Sequence, residues 1–231
     1  MAYVTPDYAE RLQAHLRSHA NPELAGPMQA YMRDQFAFLG IKSPEGTALV
    51  RQFLQEYGVP ENGELEKAIR ELWALPEREF QYVALTLLGK RSKTADVSRI
   101  ELLEELITTK SWWDTVDEPA GHAVGEWFTR FPEQVPVRTQ RWMASDLMWL
   151  QRTALLSQLR YKKRTDAGLL FDLIRQCADS KELFIRKAIG WALREYSKTD
   201  EAAVRRFVSE TALSPLSIRE ALKYVDRRKP Q

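Results

Sequence analysis

The segment Thr108–Glu118, TTKSWWDTVDE, places two adjacent tryptophans ahead of three acids, and they cannot all face a core. Most have a packing or capping explanation. Ser111 with Asp114 three residues later has the form of a capping box, and an acid there complements the helix dipole. Trp112, Val116, Ala120, Ala123 and Trp127 recur at helical spacing as a buried stripe, and Glu118 reads as a solvated acid. Trp113 and Asp117 are left over. They stand four apart and share a helix face turned away from the stripe. Two readings stay open. In one, Asp117 caps a helix restarted at Pro119 and Trp113 is partly buried against a neighbour. In the other, the pair is kept for chemistry.

Two further places suggest a polyanionic partner. In KELFIRKAIGWALREYSK the core stripe is Ile185, Ala188, Ile189, Ala192 and Tyr196, and Trp191 lies off it between Lys187 and Arg194. An exposed aromatic between cations suits a nucleic acid strand, or is cation–π decoration of an ordinary surface. In ASDLMWLQRTALL, Arg152 interrupts an apolar helix. It is either a solvated surface arginine or a planar fork suited to phosphate.

Conventional catalytic patterns are missing. There is no GxGxxG, HExxH or GxSxG, and LLGKRSK lacks the upstream glycine of a phosphate-binding loop. His15 and His19 share a helical face but have no third ligand nearby, and His122 stands apart. Cys177 has no evident base partner and reads as an inert, buried thiol. No metal site or cofactor is expected.

The elements that must position these residues read as helices almost throughout. Starts are expected at Thr5 with Pro6, Asn21 with Pro22, and Ser43 with Pro44; stops at Gly40, Gly58 and Pro76. Apolar residues recur at three and four, as in Leu65, Ile69, Leu72 and Trp73, or Leu102, Leu103, Leu106 and Ile107. FQYVALTLL, VDEPAGHAV, LQRTALLSQ and FIRKAIGWA align with Ala84, Ala120, Ala154 and Ala188 in register, at separations of 36, 34 and 34 residues. That is near the period of helical-pair repeats. The expected architecture is all-α: one domain over 1–231, a curved superhelical solenoid of short helical pairs with a concave face.

The 231 residues are 44% apolar and 29% charged, enough for a sizeable core. A net charge of +2 does not mark the whole molecule as a nucleic-acid binder, but a local basic face is compatible with it. One cysteine excludes an intrachain disulfide and CxxC zinc sites. With no visible secretory signal and no long apolar run, a soluble, cytoplasmic protein is expected.

Four segments, LWALPEREFQ, LEELITTKSWWDTVD, ASDLMWLQR and KAIGWALREY, closely resemble the AlkD-type alkylpurine DNA glycosylases, which are HEAT-like repeat proteins. The resemblance runs from about Tyr8 to about Tyr224, in the family's order and spacing. It implies that Asp117 lies near the reacting sugar, flanked by Trp113 and Trp191. It also implies that Arg152 contacts DNA near the lesion and that Tyr31, in GPMQAYMRDQF, lines the same cleft. From periodicity alone Tyr31 belongs to the core. Lys187, Arg194 and the cluster Arg160, Lys162, Lys163 and Arg164 are candidate phosphate contacts, the cluster reading equally as a solvated helix end.

The implied reaction is hydrolysis of the N-glycosidic bond of positively charged N3- or N7-alkylated purines in duplex DNA. The implied course leaves the damaged base stacked and the strand un-nicked, within base excision repair. The implied enzyme is a cytoplasmic monomer, associated with the bacterial nucleoid during repair, with no cofactor, no membrane and no obligate protein partner. Two other classes remain open: a non-catalytic DNA-damage-binding repeat protein, and a protein-binding helical scaffold.

Overall fold

The computed structural model describes residues 7–227, which form helices joined by short turns, with no strand among them beyond an isolated Ala37–Glu77 bridge. Two compact units divide the chain, residues 1–94 and 95–231. The first contains α1 (Tyr8–Arg17), α2 (Pro22–Tyr31), α3 (Ser43–Tyr57), α4 (Asn62–Ala74) and α5 (Arg78–Lys90). The second contains α6 (Arg99–Thr108), α7 (Trp113–Pro119), a π-helical stretch (Ala120–Val124), α8 (Gly125–Arg130), α9 (Val135–Met143), α10 (Met148–Leu156), α11 (Ala167–Gln176), α12 (Leu183–Ser197), α13 (Glu201–Glu210) and α14 (Pro215–Asp226).

Several starts differ by a residue or two from the sequence reading. Thr5 and Pro6 lie outside the described residues; α1 is capped by Asp7, whose carboxylate accepts the Glu10 N–H while Glu10 reaches back to the Asp7 N–H. Asn21 caps α2 with Pro22 in the first turn, as expected. Ser43 is the first residue of α3 rather than its cap, a position taken by Lys42 without a side-chain bond. Ser111 does not cap α7: its hydroxyl donates back to the Ile107 carbonyl at 2.6 Å, and Trp112 occupies the cap position. A serine hydroxyl one turn beyond a helix end finds that carbonyl before any forward amide. Gly58 ends α3 at φ 72°. Gly40 ends no helix and lies in the segment that joins α2 to α3.

In the first unit α1 packs on α3 and α4, and α4 on α5. The first turn of α5 buries three polar residues, Arg78, Glu79 and Gln81. The Gln81 amide donates to the Trp73 and Leu75 carbonyls at 3.1 and 2.9 Å, closing the end of α4.

The second unit stacks helix on helix. The π-helical stretch meets α10, α10 meets α12, and α12 packs most extensively on α14. Ala84, Ala120, Ala154 and Ala188 are all buried, so the small-residue register coincides with the cores of both units. On the α12–α14 contact a Cβ on Gly190 would lie 2.9 Å from the Ser217 carbonyl, a close approach that glycine permits. Trp127 and Trp142 are fully buried, and the Trp142 indole donates to Glu104 of α6 at 2.8 Å. Removing either ring would cost about 3–5 kcal/mol.

Pro119 does not restart the helix. The backbone stays helical from α7 through the π-helical stretch into α8, with Pro119 at φ −64°, ψ −34°. The wider turn directly after the proline absorbs its missing N–H. Asp117 therefore caps nothing.

Candidate active site

Asp117 projects from α7 and meets Arg152, which projects from α10. Nε of Arg152 donates to Oδ1 at 2.6 Å and one terminal nitrogen donates to Oδ2 at 2.7 Å, a bidentate pair. The other terminal nitrogen donates to the Phe184 carbonyl in the first turn of α12. One guanidinium thus joins three helices, α7, α10 and α12. Arg152 is not the solvated surface arginine that was one reading of it, since its side chain is 4% exposed, against 14% for that of Asp117. Burial pushes the Asp117 carboxyl above the ordinary carboxylate range, Arg152 opposes that rise, and nearby Asp114 adds to it.

Trp112, Trp149 and Phe184 form an aromatic wall beside the pair. Phe184 lies 5.3 Å from Trp112 and 5.0 Å from Trp149 between ring centres. The Arg152 guanidinium carbon is 5.8 Å from the Phe184 ring centre. Trp112, expected in the buried stripe, is half-buried in this wall, while Val116, Ala120, Ala123 and Trp127 are buried as expected. Sequence reasoning missed Trp149 and Phe184. The available signal was their spacing, about one repeat apart, with Trp149 three residues before Arg152 on the same helix face.

The other expected site residues are placed as follows. Trp113 opens α7, one turn before Asp117, and is half-buried. Trp191 is half-buried on α12 and makes no hydrogen bond or ring contact among the described residues. Lys187, one turn before it, is exposed. Arg194 is ion-paired with Glu220 of α14 at 2.8 Å, so a phosphate would have to compete for it. Arg160, Lys162, Lys163 and Arg164 are exposed between α10 and α11. Tyr31 belongs to the first unit and is 73% exposed, which overturns the core position its periodicity suggests. Glu118 is exposed, as expected of a solvated acid, and its Oε1 lies 3.5 Å from Nδ1 of His122.

No metal centre is assembled: no group of three or more His, Cys, Asp or Glu side chains among the described residues could hold an ion. His15 lies against the Leu49 carbonyl and His19 against the His15 carbonyl. Cys177 is buried with its thiol pushed up to about 12 by that burial, so it is inert as a nucleophile, as expected. No described helix is long and apolar enough to cross a membrane.

The family model for DNA alkylation repair enzymes matches residues 12–225. The chain belongs to this family. Its members' name carries a role in DNA repair, and an enzymatic one. Among solved structures, a predicted DNA alkylation repair enzyme from Enterococcus faecalis superposes with a TM-score of 0.83 at 36% identity, over 89% of this chain and 96% of that one. AlkD2 from Streptococcus mutans shares the fold at a TM-score of 0.58 and 17% identity, over 79% of this chain and 89% of that one. No curated protein matches the sequence.

Proposed function

We propose that this DNA alkylation repair protein is a monofunctional glycosylase. Its substrates would be N3- or N7-alkylated purines in duplex DNA, and its reaction hydrolysis of the N-glycosidic bond. The observation that carries this reading is the buried, bidentate Asp117–Arg152 pair beside an aromatic wall.

An N3- or N7-alkylated purine carries a positive charge and departs as a neutral base, so no general acid is required. As the C1′–N bond breaks, the bonding electrons leave with the purine and positive charge develops on the deoxyribose. A carboxylate already fixed in place stabilises that charge without reorganising, and it orients the water that adds to C1′. The water's proton passes to solvent or transiently to Asp117. The indole faces of Trp113 and Trp191 add cation–π attraction, about 0.5–2 kcal/mol each.

Arg152 is a positioning residue in this scheme. Two of its N–H groups hold both carboxylate oxygens and a third is anchored on the Phe184 carbonyl. Any contact with a DNA phosphate falls to its remaining N–H groups. Lys187, being exposed beside Trp191, is the better placed cation for the backbone.

Recognition through the sugar and backbone leaves the base in the stack and tolerates bulky adducts. It disfavours uncharged lesions, which need help to leave. Release of methylated purines from alkylated duplex DNA tests the reading. Asp117→Asn should slow release by about 100-fold or more, as for loss of one preorganised electrostatic group. No covalent DNA adduct should be trapped by borohydride. A trapped adduct would contradict the monofunctional course.

A further inference from the structure

The start of α12 is seated by an aromatic ring. Glu182, its cap residue, makes no side-chain cap bond, and Lys181, Glu182 and Leu183 are exposed. Phe184, the second residue of the helix, is half-buried with its ring against two indoles. One is Trp112, the cap residue of α7, met nearly edge-on at 70°. The other is Trp149, the second residue of α10, inclined at 41°. The two indoles lie 6.1 Å from each other between ring centres. The starts of three helices thus meet in one cluster. Rings in contact have preferred mutual orientations, each pair contributing about 0.5–1.5 kcal/mol beyond its burial.

The backbone carbonyl of the same Phe184 accepts a terminal N–H of Arg152. Nε and the other terminal nitrogen of Arg152 donate to the two oxygens of Asp117 at 2.6 and 2.7 Å. The carboxylate alone leaves the planar guanidinium free to hinge about the axis that joins the two groups. A third bond, on the other terminal nitrogen, stops that hinge. Arg152 stands one turn after Trp149 on the same face of α10. The indole that supports Phe184 and the fork that Phe184 supports therefore rise from one helix.

Ordinary packing between helices accounts for the area of the cluster but not for its place. Rings left half-buried give up part of the stabilisation that full burial would bring. What they hold is a helix start whose carbonyl reaches the Asp117–Arg152 pair. We infer that Phe184, seated against Trp112 and Trp149, is a positioning residue: its carbonyl fixes the plane of the Arg152 fork, and with it the edge that Asp117 turns to the deoxyribose. The inference rests on the glycosylase reading in one respect, that Asp117 faces a sugar.

Single-turnover release of methylated purines from alkylated duplex DNA, followed across pH, is the test. Affinity is read separately on a duplex carrying a tetrahydrofuran abasic-site analogue, which has no base to release. Phe184→Ala should slow release about tenfold, as for a small misplacement of a reacting group, with affinity within about twofold of wild type. Its acid limb should move to higher pH. The charged groups acting on Asp117 are Arg152 of α10 and Asp114 of its own helix, and the contact from α12 is a neutral carbonyl on Arg152. Loosening the fork therefore weakens the group that holds the Asp117 carboxyl down. Phe184→Tyr, which keeps a ring against the indoles, should recover most of the rate. In an Arg152→Lys background there is no planar fork to fix, so Phe184→Ala should add no more than about a twofold loss.

Wild-type rate and acid limb in a folded Phe184→Ala protein overturn the inference, as do losses that multiply in the Arg152→Lys background. A loss confined to duplex affinity also overturns it, and would mark the aromatic wall as a DNA contact. Each of these outcomes leaves the glycosylase reading standing, since the wild type still releases the base. No release by the wild type fails that reading, and the inference falls with it. If Phe184→Ala does not fold, Phe184→Leu is read by the same criteria.

Discussion

Each unit contains a carboxylate withdrawn from solvent, and the two are satisfied in opposite ways. Glu79 spends its oxygens on three backbone N–H groups of one segment, all within its own unit. Asp117 spends its oxygens on one side chain, Arg152, which arrives from a different helix. A carboxylate bound by backbone amides holds a loop in shape. A carboxylate bound by a single guanidinium keeps an edge for something else, and the greater exposure of Asp117 is consistent with that. On the proposed function, the comparison separates a charge that shapes the fold from one left open to a substrate.

The strongest way to break this comparison is to remove the guanidinium. Arg152→Met leaves Asp117 buried and unpaired, and should lower unfolding stability by about 3–5 kcal/mol in denaturant titration. A loss under 1 kcal/mol would mean that the pair is held loosely and that the carboxylate is solvated without it. Glu79→Gln should cost less, about 1–3 kcal/mol, since it turns an amide donor toward backbone N–H groups while part of the acceptor set survives.

A pH profile sharpens the contrast. Burial raises the Asp117 carboxyl and Arg152 holds it down. The ionised form is the one that steadies a cation, so single-turnover excision should fall as pH drops through the Asp117 midpoint. That midpoint should lie above the ordinary aspartate value of 3.8. Arg152→Lys, which loses the bidentate fork, should move the acid limb to higher pH. An acid limb unmoved by this substitution would detach the activity from the pair.

The smallest expected effect concerns Lys187 and Arg194. Lys187→Ala should reduce the slope of log affinity against log salt by about 0.9 for duplex DNA. Arg194→Ala should change it less, because Glu220 already engages that side chain. Equal slopes for the two would show that DNA displaces Glu220.

Part of the fold and of the candidate site is legible in the residues themselves. Trp113, Asp117, Arg152 and Trp191 stood out because helical periodicity left them without a packing role, and the structure removes the competing cap explanation for Asp117. That Asp117 and Arg152 touch was hidden, although their separation of 35 residues is close to the repeat and hints at a common edge. The aromatic wall was hidden for the same reason: Trp149 and Phe184 look like core residues until the repeats are stacked. The Glu79 clamp was not legible at all. Its partners lie about 40 residues upstream in a segment without periodicity, and a glutamate in the first turn of a helix already has an electrostatic explanation. Caps at Ser43 and Ser111 were misplaced because hydroxyls at helix ends have several backbone partners within reach.

Release of 7-methylguanine and 3-methyladenine from alkylated duplex DNA, wild type against Asp117→Asn with melting temperature monitored in parallel, tests the central claim most directly. The account predicts a fall of about 100-fold or more in the single-turnover rate, with affinity for the duplex retained. Release at the wild-type rate by a folded Asp117→Asn protein, or no release by the wild type, would contradict it.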